Sequence, residues 1–446
     1  MSSIKEVFSK SETILVFGGG ITGTSLVLFC KKNGKKVILV DAKPQSISSD
    51  FYFNDSASIS EFPKFDLLLK SPGINPGHKI LQEVYKLKIP IYSEMDLAYS
   101  FFRGKIIGIT GTDGKSTTTA LTGHLISAGN PKSRMGGNIG RPFIEFCDLD
   151  LDYAILELSS YQLEDSNFIK FFSSALLNIA PDHLERHKTM DNYINAKLKI
   201  ADIESPDSFF ISNRKMEGKI PIPKMNGKIL YFGWDKNNDA FIDKSSNSIR
   251  TIKGDYPALS FPLKGDHNLE NLAASILLAE TANIGFNEIL KGINSFSGLS
   301  YRFQVSHTFK NTIFINDSKS TNLHSMLAGL KGFSVSTSLI LILGGRTKKE
   351  SLAPLLSILE YNNIRILLYG EAAMEWGDEL KSKLNDNLII KKNLEEAVIE
   401  CRAILGKNAI EYVVFSPACA SFDQYKNFEE RGEHFNKLVE EIIMKH

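Results

Sequence analysis

Gly111-Thr112-Asp113-Gly114-Lys115-Ser116-Thr117 is the stretch of this 446-residue chain most suited to chemistry. Its glycines free the backbone to fold N–H groups around phosphate oxygens, and a helix starting there faces negative charge with its N-terminus. Lys115 could reach the β- and γ-phosphates of a nucleotide, and the Ser116 hydroxyl could serve Mg²⁺. The longer G-x-x-x-x-G-K-[ST] pattern wants glycine where Ile109 stands. A glycine-rich turn with a solvated lysine is the alternative. Gly18, Gly20 and Gly23 form a second glycine loop, with Asp41 close to the ~20-residue spacing of dinucleotide folds. That loop could bind NAD, bind the diphosphate of another nucleotide, or build a tight turn.

The elements around these loops are legible as apolar runs. Residues 12–17 and 36–40 read as strands on either side of a helix that reaches Cys30, with Asp41 ending the second. Phe65 to Leu69 reads as a third strand, running into Ser71-Pro72-Gly73-Ile74. In open α/β sheets such carboxyl-end turns are where ligands sit. Ile106 to Ile109 is a buried strand before the phosphate loop, and Thr118 to Ala128 a helix after it. Two later strands deliver Glu157 and then Asp182-His183. A carboxylate and a histidine at strand ends beside a phosphate loop point to a Mg²⁺-nucleotide site. Taken singly, Glu157 reads as well as a structural carboxylate, and His183 as a cap or core residue. Asn138 reads as a turn residue. Lys197 and Lys199 look alike on a helix from Tyr193, and Asn268 and Asn271 stand near the start of an Ala/Leu-rich helix over 272–282.

Residues 205–260 read as an irregular β-rich insertion. Beyond it, strands end in Asn316-Asp317-Ser318-Lys319, in Gly344-Gly345-Arg346-Thr347-Lys348, in Gly370 and in Ser416 to Phe422, which is a further doubly wound pattern. Boundaries near 95–104 and 295–300 divide the chain into 1–100, 101–298 and 299–446. The fold class is therefore α/β with three domains: a Rossmann-like N-terminal domain, a central phosphate-loop domain with a parallel or mixed sheet, and a Rossmann-like C-terminal domain.

Composition narrows the setting. Lys+Arg 52 against Asp+Glu 51 gives no electrostatic case for nucleic acid or an anionic membrane. The four cysteines are scattered, which argues against a zinc site or a disulfide framework and suits a reducing compartment. No basic-then-apolar leader is visible and no apolar run approaches the ~20 residues that cross a bilayer. A cytoplasmic enzyme is the expectation.

Several short markers, in order, resemble the Mur ligases, ATP-dependent amino-acid ligases of peptidoglycan precursor synthesis. They are Gly111 to Thr117, Glu157-Leu158-Ser159-Ser160-Tyr161-Gln162-Leu163, Asn178 with Asp182-His183 and Arg186, Tyr193 with Lys197, His267-Asn268 with Asn271, Tyr301-Arg302-Phe303, and Asn316 to Lys319. The resemblance covers nearly the whole chain. Ser416 to Gly432 is similar to the C-terminal signature of the branch that adds D-glutamate to UDP-N-acetylmuramoyl-L-alanine. Two departures stand out: Asp113 where the family more often has Asn, and the basic run Arg346-Thr347-Lys348-Lys349.

The resemblance implies ATP, two Mg²⁺ ions and an acyl phosphate, with Lys115, His183 and Lys197 as the catalytic set. Gly111, Thr112, Asp113, Gly114, Lys115, Ser116, Thr117, Asn268, Asn271, Arg302 and Asp317 match ATP-binding positions, with Arg302 arriving when the domains close. Ser116, Glu157, His183 and Lys197, the last as a carbamate, would be the metal ligands. Ile21, Thr22, Asp41, Ser71, Gly73, Asn138 and His183 would meet the UDP-linked substrate. Thr321, Lys348, Ser421 and Phe428 would meet D-glutamate. A monomer is implied, with no nucleic-acid or membrane partner. Rival readings are a related ligase with another acceptor, such as folylpolyglutamate synthase, an NAD-dependent oxidoreductase, and a nucleotide-driven switch.

Overall fold

Thr13–Phe17 (β1) buries four of its five residues, and Lys36–Asp41 (β2) four of its six. Strands apolar on both faces need cover on both sides, which parallel sheets with crossover helices supply. The computed structural model describes residues 3–44, 47–259, 261–263, 265–330, 333–334, 336–347, 351–359 and 363–444. In it β1 and β2 pair in parallel, linked by the helix Ile21–Lys32 (α1). Phe51–Asn54 (β3), Leu67–Lys70 (β4) and Ile91–Ser93 (β5) complete a sheet in the order β3-β2-β1-β4-β5. Strand order reverses between β1 and β4, so their carboxyl ends open a crevice.

A second sheet carries the phosphate loop. Its strands are Lys105–Thr110 (β6), Ser133–Gly137 (β7), Tyr153–Glu157 (β8), Ser173–Leu176 (β9), Phe209–Asn213 (β10), Lys228–Gly233 (β11), Ala240–Asp243 (β12), Ser248–Thr251 (β13) and Gly254–Pro257 (β14). They run in the order β14-β13-β12-β11-β10-β9-β6-β8-β7. Only the β12–β13 and β13–β14 pairs are antiparallel. The stretch 205–260, expected to be an insertion, is thus half of this sheet. Pro206, Pro221, Pro223 and Gly227 fall between strands, and Gly233, Gly254 and Pro257 stand at strand ends, so together they masked the alternation.

Five helices bear on the site. Lys115–Gly129 (α2) follows β6, Ser160–Asp165 (α3) follows β8, and Leu184–His187 (α4) and Met190–Leu198 (α5) follow β9. Asp266–Thr281 (α6) begins six residues earlier than the apolar pattern at 272 predicts, so Asn268 and Asn271 lie in its first turns. The α6 helix packs on α2, where the Ser275 hydroxyl donates to the Thr118 carbonyl at 3.3 Å.

The chain forms two compact units, Met1–Phe296 with the first two sheets and Ser297–His446 with the third. The third sheet comprises Gln304–Phe309 (β15), Thr312–Asn316 (β16), Leu339–Gly344 (β17), Ile364–Tyr369 (β18), Leu388–Lys391 (β19) and Tyr412–Ala418 (β20), ordered β15-β16-β20-β17-β18-β19. All its pairs are parallel except β15–β16. The helix Phe428–Leu438 (α7) lies near the chain's end. The α/β class with parallel and mixed sheets is as the sequence implied. Among the described residues no helix is long and apolar enough to cross a membrane.

Candidate active site

The phosphate loop keeps its shape through a glycine turn and side chains that bond its backbone. Gly114 caps α2 at φ +80°, in the left-handed region, and a Cβ there would lie 2.4 Å from Asn271 Oδ1. Only glycine satisfies both constraints. Asn178 clamps the loop tip: its side chain accepts from the Asp113 N–H at 2.8 Å and donates to the Asp113 carbonyl at 3.0 Å. The Thr112 hydroxyl lies 3.0 Å from the Tyr193 hydroxyl and accepts from the Ala180 N–H. The Asp113 side chain is exposed while its backbone is held, so the departure from Asn leaves the loop's shape intact.

Strand order gathers the sequence-predicted residues. β8 and β9 flank β6, so Glu157 and the chain leading to His183 emerge beside the phosphate loop. Asn271 joins from α6, accepting from the Thr118 hydroxyl at 3.2 Å and donating to Asn268 Oδ1 at 3.3 Å. Glu157 is buried; Oε1 accepts from Asn138 Nδ2 at 2.8 Å, and Oε2 has no hydrogen-bond partner among the described residues. A buried carboxylate oxygen without a donor is costly unless a cation fills the place. Ser116 is also buried, at the start of α2. His183 is half-exposed in the left-handed region at φ +53°, its Nδ1 3.4 Å from the Tyr161 hydroxyl.

Lys197 is 2% exposed, and its ammonium donates to the Gly111 carbonyl at 2.8 Å. Burial first, then the Lys115 charge, pull it down to about 7, against opposition from Asp182, Glu157 and Asp113. Lys199, two positions on, turns away and donates to the Glu164 carbonyl at 2.6 Å. The two lysines that composition could not distinguish therefore have different environments.

A cavity of about 740 Å³ joins the two sheets of the first unit. One wall is the first sheet's crevice, with Gly20, Ile21, Thr22, Asp41 and Ser71 to Ile74. The other carries Lys115, Asn138, Ser159 to Tyr161, His183, Tyr193 and Lys197. Asp41 Oδ2 accepts from the Gly19 N–H at 2.6 Å, so this carboxylate also shapes the glycine loop. Ser71 donates its hydroxyl to the Gly18 carbonyl at 2.9 Å, joining the two loops of that wall. Tyr193 and Asn178 had been only family markers; their local sequence carries no signal of a bracing role.

In the second unit, β16, β20 and β17 are neighbours, which brings their carboxyl ends together. Asp317 is buried there, accepting from the Ser416 hydroxyl at 2.6 Å and the Phe303 N–H at 3.1 Å, and burial raises it to about 7. Arg302 is half-buried, and its positive charge partly opposes that rise. Ser421 is buried after β20, Thr321 is half-buried after β16, and Phe428 starts α7 with the Lys319 ammonium 3.9 Å above its ring. Arg431 is fully buried and ties the three strand ends, donating to Ser318 Oγ at 3.1 Å, the Ser318 carbonyl at 2.8 Å, the Cys419 carbonyl at 3.0 Å and the Gly344 carbonyl at 3.4 Å. Arg346, the basic departure, makes a two-pronged pair with Glu371 at 2.8 and 2.9 Å. Lys348 lies outside the described residues.

Comparison with known proteins agrees with this architecture. Residues 109–279 match the Mur ligase middle domain. The UDP-N-acetylmuramoylalanine–D-glutamate ligase of Leptospira borgpetersenii serovar Hardjo-bovis is 46% identical over 450 residues, covering 97% of each chain. The enzyme of the same name from Fusobacterium nucleatum is 34% identical, across 96% of this chain and 99% of its own. Thermotoga maritima supplies two solved structures with the same fold. Its UDP-N-acetylmuramate-alanine ligase MurC has a TM-score of 0.57 and 17% identity over 96% of this chain and 99% of that one. Its MurF ligase in complex with ADP has a TM-score of 0.58 and 16% identity over 96% and 95%. This chain belongs to the Mur ligase family. The full-length relatives named above are its D-glutamate ligases.

Proposed function

We propose that this protein joins D-glutamate to UDP-N-acetylmuramoyl-L-alanine with hydrolysis of ATP, in cytoplasmic peptidoglycan precursor synthesis, and that it acts as a monomer. The observation that carries this reading is a cavity of about 740 Å³ lined by the phosphate-loop lysine on one side and the glycine loop of the first sheet on the other. A nucleoside-diphosphate substrate and ATP could both reach such a cleft.

A carboxylate oxygen is a poor leaving group, so amide formation needs activation. The substrate carboxylate attacks the γ-phosphorus, the bond to the β–γ bridging oxygen breaks, and ADP departs. The D-glutamate amine then attacks the acyl carbon, phosphate leaves with the bonding pair, and the amine proton is released. Such phosphoryl transfer depends mainly on positioning and charge neutralisation. Lys115 binds the transferred phosphoryl group, and the loop N–H groups orient it. Asn268, Asn271, Arg302 and Asp317 serve the rest of ATP.

The donor set fits hard cations. Ser116 and Glu157 would hold one Mg²⁺, the unpartnered Glu157 oxygen being the observation in favour. His183 and a carbamate on Lys197 would hold a second. When bound, the ions neutralise phosphate charge. Among the described residues no three His, Cys, Asp or Glu side chains form a metal cage, which suits ions held largely by phosphate and water. Ile21, Thr22, Asp41, Ser71, Gly73 and Asn138 serve the UDP-linked substrate. Thr321, Lys348, Ser421 and Phe428 of the second unit serve D-glutamate.

The test is phosphate release with ATP and UDP-N-acetylmuramoyl-L-alanine, with D-glutamate, with L-glutamate and with neither. Release that depends on D-glutamate and is lost in Lys115→Ala is the expected result. Release indifferent to the amino acid would overturn the reading.

A further inference from the structure

The two walls of the cavity are strapped together by buried charges that the proposed chemistry does not use. Lys70 ends β4, one residue before the Ser71 to Ile74 loop, and its side chain is only 7% exposed. Its ammonium lies 2.5 Å from Oδ2 of Asp165, itself 13% exposed, at the end of α3. That helix starts with Ser160 and Tyr161, which line the opposite wall. Consecutive helix positions point ~100° apart, so Asp165 and Glu164 face different partners. Glu164 Oε2 takes Arg186 Nε at 3.0 Å and Nη2 at 2.9 Å, and Arg186 Nη1 donates to the Ile74 carbonyl at 3.3 Å. The loop is therefore gripped at both ends from the other wall. Because Ser71 also bonds Gly18, whatever moves residue 70 moves both loops of the first sheet.

Burial lowers Lys70 and raises Asp165, each against the pull of its partner. A buried pair of this kind adds little net stability over well-packed apolar side chains, because desolvation offsets attraction. What it does supply is direction: an ammonium and a carboxylate meet in one geometry, whereas two methyl groups slide.

We propose that Lys70 and Asp165 are positioning residues which set the span between the first sheet's substrate-binding loops and the phosphate-loop wall. This rests on the ligase reading above. With the span fixed, a UDP-linked carboxylate held by one wall meets the γ-phosphate held by the other. A misplacement of ~1 Å between reacting groups can cost ~10²-fold in rate.

The decisive protein is the full chain carrying Lys70→Met with Asp165→Leu, an apolar pair of similar volume that should fold, since such replacements are often neutral or stabilising. Binding of UDP alone and of ADP alone should stay within about twofold of wild type, while kcat falls roughly 10²-fold. The exchanged pair, Lys70→Asp with Asp165→Lys, should recover part of the lost kcat. Amide hydrogen exchange at 71–74 should rise in the apolar variant, with 115–118 unchanged. An apolar variant with wild-type kcat and exchange overturns the proposal, as does a kcat loss that merely follows loss of UDP or ADP binding. If wild type shows no D-glutamate-dependent turnover, the ligase reading fails, and the exchange at 71–74 still decides whether the strap sets the loop.

Discussion

Lys115 and Lys197 share one acceptor: the Gly111 carbonyl lies 2.9 Å from the first ammonium and 2.8 Å from the second. Two cations on one carbonyl repel, and the more buried yields its proton first. Lys197 is that residue, at about 7. A neutral amine can add CO₂ with release of a proton, whereas an ammonium cannot. Intact-protein mass spectrometry in bicarbonate should show a gain of one CO₂ that increases as pH rises through about 7 and is absent from Lys197→Met. Wild-type protein that never gains the mass would exclude the carbamate.

Asn138 orients the candidate metal carboxylate rather than only turning the chain. Its amide holds Glu157 Oε1, leaving Oε2 for a cation. Partners of this kind contribute about 10–100-fold to metal affinity. Asn138→Ala should raise the Mg²⁺ concentration for half-maximal activity by that factor, with melting temperature little changed. An unaltered Mg²⁺ titration would show that Asn138 serves the substrate alone.

Gly114 and Asp113 should respond in opposite ways to substitution. Gly114→Ala places a Cβ 2.4 Å from Asn271 Oδ1 at φ +80°, so the loop must distort, at a strain of about 1–3 kcal/mol. ADP affinity should collapse in calorimetry. Asp113→Asn changes an exposed side chain whose backbone Asn178 already holds, and kinetics should stay within about twofold. A large effect of Asp113→Asn would assign that carboxylate a role in charge balance at the phosphates.

Glu94 sets a pH dependence of stability in the first unit. Fully buried, it rises to about 7, mainly through desolvation, although the Ile144 N–H donates to it at 2.6 Å. Its folded value exceeds the unfolded 4.5, so the native state binds the proton more tightly. The stability it confers is complete below about 4.5 and is lost as pH rises through about 7. Glu94→Gln should flatten the unfolding curve in that window and raise stability above it, as measured by urea unfolding across pH. A variant with the wild-type pH slope would remove Glu94 as the cause.

The sequence discloses this site to the extent that its signals are local. Lys115 and Ser116 follow a glycine turn, Glu157 ends an apolar strand, and adjacent parallel strands bring both to one edge. Lys197 and Lys199 could not be separated because only tertiary packing distinguishes them: one sits under the loop carbonyl, the other on the Glu164 and Ser166 carbonyls at the end of α3. The strand expected at Phe65 to Leu69 starts at Leu67, since Asp66 spends its carboxylate on the Glu12 and Thr13 N–H groups. It continues to Lys70, one residue past the expected end. Its partner is 95 residues away, and no periodicity reports such a pairing. The Phe51–Asn54 edge strand escaped notice because its side chains are largely exposed.

Arg431 has a consequence for the order in which the second unit assembles. Its guanidinium is satisfied by oxygens from residues 318, 344 and 419, which belong to three different strand ends. None of those groups is in place until β16, β17 and β20 are aligned, and a half-satisfied buried cation is strongly unfavourable. One buried guanidinium therefore couples the alignment of the three strand ends at the edge that bears Asp317 and Ser421.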